Sequence, residues 1–339
     1  MRVNIFDVAK KSGLSIVTVS RVLNNAPTVR ENNRKKVLEA IKELNYSPNS
    51  AARTLVRGKT GVIGLTLTAL NDSVFDGVVK SVFEHLKAKG YFLAISIETK
   101  RSEDSLEPCN FLFQEDRVDG IIVLSALEED AYVAELERKH IPFVMIDSHG
   151  DYPEVTTVNV DNYLGGYEAT QHLIGLGHTR IAHISGQDWF LSARQRKEGF
   201  IAAMTEAGLS PSLIAEGTFG IHCGYGIMQD WIAKGQVPSA IFAADDVIAL
   251  GVIRALMEAG YNVPHDVSVI GYDDQTFAKE VHPMLTTIRQ PVEQMGAHAV
   301  NMILDMVQGK PNEHIKMQLK PELIFRESTS KYKGVVDKR

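Results

Sequence analysis

Residues 7–23 read Asp7-Val8-Ala9-Lys10-Lys11-Ser12-Gly13-Leu14-Ser15-Ile16-Val17-Thr18-Val19-Ser20-Arg21-Val22-Leu23, and this run decides how the rest of the chain divides. Asp7 to Ser12 is a helical stretch that stops at Gly13. Ser15 then caps a second helix containing Thr18 to Leu23. Ala9, Gly13 and Val19 lie four and six residues apart. A small residue where two helices touch, a glycine for the tight turn and an apolar residue packing the second helix are what a helix-turn-helix needs.

Beyond this run, Asn24-Asn25-Ala26-Pro27 breaks the second helix. Thr28 and Glu31 have capping-box spacing for a third helix. Val37, Ile41 and Leu44 lay an apolar, core-packing stripe along it. Asn45-Tyr46-Ser47-Pro48 ends it, because the residue before proline avoids the helical region. Residues 49–57 are helix-permissive but too short to stand alone, so a helix ordered only when something holds it is expected there. Gly58-Lys59-Thr60 looks like the tail of a phosphate-binding loop. Arg53 occupies the position of its required glycine and no strand precedes it, so no nucleotide site is expected.

Charge marks the same boundary. Residues 1–60 hold 12 Lys/Arg against 4 Asp/Glu, a net of +8, whereas the remainder holds 24 against 38, a net of −14. A basic head on an acidic body suggests a polyanion-binding module joined to something else. The whole chain, 339 residues with 44% hydrophobic and 23% charged, has an ordinary globular composition and length for two or three domains. Cys109 and Cys223 are far apart and form no C-x-x-C, which fits a reducing cytosol and no disulfide scaffold. Asp7 comes too early for a signal-peptide core, and no run of about 18 apolar residues occurs. A cytoplasmic protein without membrane contact is expected.

The acidic body alternates apolar strand-like runs (62–65, 92–97, 120–124, 143–146, 181–184, 240–242, 267–271) with helical patterns (78–89, 132–139, 164–176, 194–207, 224–234, 247–259, 292–307). That alternation predicts an α/β class: parallel, doubly wound sheets covered on both faces, in two similar lobes. Ligands in such folds sit beyond the carboxyl ends of strands. The residues there are 72–75, Asp147-Ser148, Trp189 to Arg196, Asp245-Asp246 and Asp273-Asp274. The two carboxylate pairs admit glycoside hydrolysis or simple capping, Asp246 being placed to cap the helix that follows it. No G-x-S-x-G, H-E-x-x-H or G-x-G-x-x-G occurs, His178 and His183 read as structural, and neither cysteine has metal-ligand spacing. No enzyme, cofactor or metal site is expected.

Residues 7–9 and 15–24, with Ile41-Lys42-Glu43-Leu44-Asn45-Tyr46-Ser47-Pro48 and Ala52-Arg53-Thr54-Leu55, resemble the head of the lac-repressor/galactose-repressor family of bacterial transcriptional regulators. The resemblance returns at Asp119 to Val123, Gly177-His178, Ile270 to Asp274 and Leu285 to Pro291, and spans about 325 residues in order. It implies a homodimeric repressor with a DNA-binding domain at 1–48, a hinge at 49–59, a two-lobed periplasmic-binding-protein-like core at 60–330 and a tail at 331–339. The N-lobe would be about 60–159 and 289–317, the C-lobe about 160–288 and 318–330. The tail lacks the leucine heptad of tetrameric members, which favours a dimer.

On double-stranded operator DNA the resemblance puts the second helix in the major groove. Ile16 and Val17 would meet thymine methyls, and Arg21 a guanine. Asn4, Thr18, Ser20, Asn24 and Asn25 would contact phosphates, with Ser15, Tyr46, Asn49 and Arg53 also at the DNA. Leu55, beside the small Ala52, would wedge into a minor-groove step. The effector positions carried over are Phe75, Asp147, Ser192, Arg196, Phe219, Asp246 and Asp273. Asp245 departs from the family's usual Asn, and Phe190 stands where the purine repressor has a purine-holding Arg. Glu293 and Asn301 replace the Tyr and Arg with which a catabolite-control relative meets its phosphoprotein partner. A small sugar is therefore the expected effector, with a phosphorylated sugar or nucleoside as the alternative. A transport protein or two-lobed sugar enzyme would have no use for the basic head. Arg196 is read as the effector's anchor or as an ion-pair partner of a nearby acid.

Overall fold

The structure is a computed structural model that describes residues 3–23, 26–46, 59–67, 73–97, 112, 117–125, 129–150, 152–310 and 314–334. The chain divides into two compact units, a head of residues 1–61 with 116–118 and a core of residues 62–115 with 119–339.

The head holds α1 (Ile5–Ser12), α2 (Ile16–Leu23) and α3 (Glu31–Glu43). Helix α1 starts two residues earlier than the sequence pattern suggests because Asn4 and Asp7 form a capping box. Asn4 Oδ1 accepts from the Phe6 and Asp7 amides, and Asp7 accepts from the Asn4 amide at 2.9 Å. Gly13 ends α1 at φ 67°, where a side chain would be strained. Ser15 caps α2 as expected, its Oγ accepting from the Thr18 amide at 3.2 Å. The capping box expected at Thr28 does not form. Helix α3 begins at Glu31, with Arg30 at its cap and no side-chain cap bond. Val8, Ala9, Val19, Val22, Val37 and Ala40 make the head's buried core, with Ile41, Leu44 and Tyr46 packed on it.

The core builds two six-stranded sheets. The first contains β1 (Val62–Leu67), β2 (Phe92–Ile97), β3 (Gly120–Leu124), β4 (Phe143–Ile146), β5 (Thr157–Val160) and β11 (Lys316–Leu319), in the order β11-β5-β4-β3-β1-β2, all parallel. The second contains β6 (Ile181–Ser185), β7 (Ile214–Glu216), β8 (Ala240–Ala243), β9 (Ser268–Asp273), β10 (Thr286–Arg289) and the antiparallel β12 (Glu322–Ile324), in the order β12-β10-β9-β8-β6-β7. The two lobes therefore repeat one doubly wound topology. Strands β1, β3, β6 and β8 are almost wholly buried apolar runs, which is why they stand out in the sequence. Strands β5, β7, β11 and β12 are three or four residues long and carry Thr, Asn, Lys, Gln or Glu. Three of them, β7, β11 and β12, are edge strands that need little burial, and β5 is only four residues long with a polar Asn159, so hydrophobic patterning does not mark them.

Helices α4 (Ser73–Ala88), α5 (Glu129–Arg138) and α10 (Val292–Val307) belong to the first lobe. Val78, Val82 and Leu86 of α4 and Met295, Ala299 and Ile303 of α10 complete its core. The second lobe carries α6 (Asn162–Gly175), α7 (Leu191–Glu206), α8 (Ile221–Ala233) and α9 (Asp246–Glu258). The chain changes sheet between Val160 and Asn162, between Arg289 and Val292, and between Leu319 and Glu322. His183 lies wholly buried in β6, stacked between Phe200 and Phe242. His178 bonds Ser239, Ser268 and the Ser330 carbonyl, and Tyr332 packs on its ring. Both histidines are structural.

Candidate functional site

In a sheet ordered 2-1-3-4-5 the crevice opens where the order reverses, between the strands numbered 1 and 3. In the second lobe that point lies between β6 and β8, and Arg196 sits there. It is 4% exposed. Its Nε donates to Asn162 Oδ1 at 2.9 Å, and Nη1 to the Ala244 carbonyl just past β8 at 2.7 Å. Nη2 lies 3.5 Å from Asp273 Oδ1 at the end of β9, and the guanidinium covers the Tyr272 ring at 3.6 Å. Gln290 Nε2 donates to the same Asp273 oxygen at 2.6 Å. Burial works against the charge on Arg196. Asp273, then Tyr272, Asp147 and Asp245, more than offset it and raise the guanidinium's pKa above its ordinary value. Arg196 is thus a buried ion-pair partner of Asp273.

Asp147, just past β4, reaches Arg196 electrostatically from the other lobe. Ser125, Asp147, Asp273 and Asp274, all at strand ends, have φ of 47°, 55°, 108° and 56°. Side chains rarely adopt such backbone, and it concentrates at functional sites. An aromatic chain links the lobes at this level: His149 meets Phe190 edge-on at 5.3 Å, and Phe190 meets Phe219 at 5.6 Å. Phe219 is 37% exposed and lies against Gly186. Ser192 is buried one turn before Arg196. Phe75 is half-buried against the first lobe's core.

Asp246 sits differently from its neighbours. It is fully buried, with Oδ2 accepting from the Gln275 amide at 2.7 Å and Oδ1 from Thr287 at 2.6 Å. Burial, then the charge of Asp273, pushes its carboxyl well above the usual range. It ties β9 to β10. The cap of α9 is Asp245 instead, accepting from the Ile248 amide at 2.6 Å. Asp274 takes Arg289 and Arg326. The two carboxylate pairs are therefore committed to a helix cap (Asp245), buried hydrogen bonds (Asp246) and ion pairs (Asp273 and Asp274). Asn162 and Tyr272, which hold Arg196, and Gln290, which holds Asp273, are not singled out as site residues by the sequence, although Tyr272 and Gln290 lie in stretches that carry the family resemblance.

In the head, Ile16 is 38% and Val17 61% exposed at the start of α2, and Arg21 is exposed one turn on. Thr18 is half-buried and shares a 2.9 Å hydrogen bond with Ser15 Oγ, and Ser20 is half-buried. Asn4 spends its Oδ1 on the cap. Asn24, Asn25, Asn49, Ala52, Arg53 and Leu55 lie outside the described residues.

A helix-turn-helix head followed by two doubly wound lobes with a buried charge cluster at a switch point defines a ligand-responsive DNA-binding regulator. A model of bacterial regulatory proteins of the lacI family matches residues 4–49, and one of periplasmic binding protein-like domains matches 170–329. The HTH-type transcriptional repressor PurR of Pasteurella multocida (strain Pm70) is 37% identical over 325 residues, 95% of this chain and 97% of its own. PurR of Erwinia tasmaniensis is 38% identical over 330 residues, 96% of each chain. A lac repressor dimer bound to operator and the anti-inducer ONPF matches 97% of this chain and 100% of its own at 30% identity and TM-score 0.87. A CelR–cellobiose complex matches 96% and 100% at 31% identity and TM-score 0.74. The chain belongs to the lacI family. It is a DNA-binding transcriptional repressor with a ligand-binding core, and its relatives are regulators, not enzymes.

Proposed function

We propose that this repressor is switched by a small sugar bound between the core lobes and controls a carbohydrate-utilisation operon from the cytoplasm. The Arg196–Asp273 pair carries the reading. A planar donor and a carboxylate at a switch point, with Asp147 acting on Arg196 from the other lobe and the Phe190–Phe219 aromatic pair in the same lobe, suit vicinal hydroxyls on an apolar sugar face. Asp246 has both oxygens occupied and is left out of the contact set. The identity to PurR repressors supports a second reading, a nucleoside or phosphorylated sugar. Phe190 weighs against it, since an aromatic ring offers a base no hydrogen bond. A thermal-shift panel of glucose, galactose, ribose, cellobiose, adenosine and guanosine decides: at 100 times Kd a specific ligand adds about 2.7 kcal/mol. Stabilisation by a nucleoside alone ends the sugar reading.

The DNA mechanism follows from the head. Residues 1–48 form the reading domain, with Ile16, Val17 and Arg21 at base edges. Residues 49–59 form the hinge, where Leu55 wedges a central step. The core spans 60–330, and two copies of the chain clasp a pseudo-palindromic operator. A +8 head, doubled, releases many counterions. Operator affinity is expected to fall by orders of magnitude between about 50 and 200 mM salt, and a mobility-shift series with a flat response contradicts this. Replacing Ile16 and Val17 together is expected to change the preferred half-site, each altered base being worth about 1–3 kcal/mol. Selection from random operators checks it, and an unchanged consensus means that another face of α2 reads the bases.

A further inference from the structure

The second lobe packs its helices in two pairs built on one pattern. Gly166-Tyr167 with Gln171 on α6 corresponds to Gly224-Tyr225 with Gln229 on α8. Gly199 and Glu206 on α7 correspond to Gly251 and Glu258 on α9. Tyr167 donates to Glu206 at 2.6 Å and Gln171 to Tyr167 at 3.2 Å; Tyr225 donates to Glu258 at 2.6 Å and Gln229 to Tyr225 at 2.6 Å. The close approaches match as well. A Cβ on Gly199 would meet the Tyr163 carbonyl at 2.2 Å, and one on Gly251 the Ile221 carbonyl at 2.1 Å.

The pairs differ in what the first glycine touches. A Cβ on Gly224 would strike the carbonyl of Ile248, an apolar core residue, at 2.1 Å. A Cβ on Gly166 would strike the carbonyl of Arg196 at 2.2 Å and its Cα at 2.9 Å. The preceding residue acts on the same group: a Cβ on Gly165 would lie 2.3 Å from the hydroxyl of Tyr272, whose ring is covered by the guanidinium. One turn earlier, Asn162 holds Arg196 Nε. The first turn of α6 thus meets Arg196 at its backbone, at its ring platform and at its Nε. None of these α6 residues needs to touch an effector.

We infer that Asn162, Gly165 and Gly166 are positioning residues that set the depth and orientation of the Arg196 guanidinium, and so tune effector affinity and selectivity; this rests on Arg196 being an effector contact. A binding group must be held within about 0.5 Å to be productive, and a methyl on Gly166 that would sit 2.2 Å from the Arg196 carbonyl oxygen cannot be accommodated without the two backbones parting by more than that. The α8–α9 crossing is the internal control. Gly166→Ala and Gly224→Ala insert the same methyl against the same kind of carbonyl, but only the first pushes Arg196.

The test titrates wild type and both variants by calorimetry with glucose, galactose, ribose and cellobiose, and determines each crystal structure. Gly166→Ala is expected to lose at least tenfold in affinity for whichever of these sugars wild type binds, with the 3.5 Å Arg196–Asp273 contact lengthened. Gly224→Ala is expected to stay within threefold with that contact intact. Equal losses in the two variants, or an unmoved guanidinium in folded Gly166→Ala, overturn the inference. Should Gly166→Ala not fold, Asn162→Ala takes its place, with a similar affinity loss that Asn162→Asp restores because it keeps the acceptor. No such difference between these two overturns the inference equally. If wild type binds none of the four sugars, the sugar reading fails, and the guanidinium positions in the crystal structures still decide the positioning role.

Discussion

Arg196→Ala is expected to destabilise the core by about 3–5 kcal/mol and to abolish the response to the sugar. The first effect follows from what stays behind: the Asp273 carboxylate, Asn162 Oδ1 and the Ala244 carbonyl all lose a buried donor. The second follows from the loss of the buried guanidinium at the switch point, since a hydrogen bond to a charged group is worth about 1.5–3 kcal/mol. Arg196→Lys separates the two effects. An ammonium restores charge beside Asp273 but cannot make the fork to Asn162 and Ala244. It should regain part of the stability and little of the sugar affinity. Urea unfolding and calorimetry on both variants, below their melting temperatures, measure each effect. Full sugar affinity in a folded Arg196→Ala protein would show that the pocket lies elsewhere. Asp273→Asn should cost less stability, because Gln290 and Arg196 still find an oxygen there.

The second large effect is an acid instability carried by His183. Burial, with added repulsion from Lys197 and Arg196, lowers its pKa to about 3, even though its bond to the Phe242 carbonyl pulls the other way. The folded protein therefore keeps His183 neutral, while the unfolded chain takes up a proton near pH 6.5. Stability is fully present above about pH 6.5 and is lost as pH falls toward 3, because the unfolded state then binds the extra proton. At 1.36 kcal/mol per unit, the loss is about 2 kcal/mol by pH 5 and about 4 kcal/mol by pH 3, where the folded state itself begins to take up the proton. His172 and His178 are also lowered by burial and act in the same direction. Unfolding free energies of wild type and His183→Phe from pH 8 to pH 4 isolate the term. The variant starts less stable, because the Phe242 carbonyl loses its partner, but its slope below pH 6.5 should be shallower. Parallel slopes would rule the mechanism out.

The head was legible from its residues because its determinants are local. The turn glycine, the Ser15 cap and the spacing of Ala9 and Val19 all lie within one short run, and two turns of helix suffice to bring them into contact. The Thr28 cap failed for a related reason. Spacing alone cannot say whether the chain turns into the helix at the cap or two residues later, and here Arg34 reaches back to the Ala26 carbonyl and holds the loop. The central strands were legible because both faces are buried and their apolar runs are continuous. Strands β5, β7, β11 and β12 were not, since segments of three or four residues with polar members carry no readable period.

At the site the division is sharper. Arg196 and Asp273 could be singled out from family resemblance and from their places after strands. Their surroundings could not. Asn162 lies 34 residues from Arg196 and Ala244 48 residues away; Ala244 reaches it because the strand order reverses between β6 and β8, and Asn162 because α6 packs against α7. The same folding separates Asp245 from Asp246, neighbours in sequence: one caps a helix at its rim, and the other points inward between β9 and β10. Periodicity and spacing record which residues share a helix face or strand. Which donor meets which acceptor depends on how far apart two backbones come to rest, and at Gly166 and Arg196 that distance is set by the packing of two helices against each other, a property of neither segment alone.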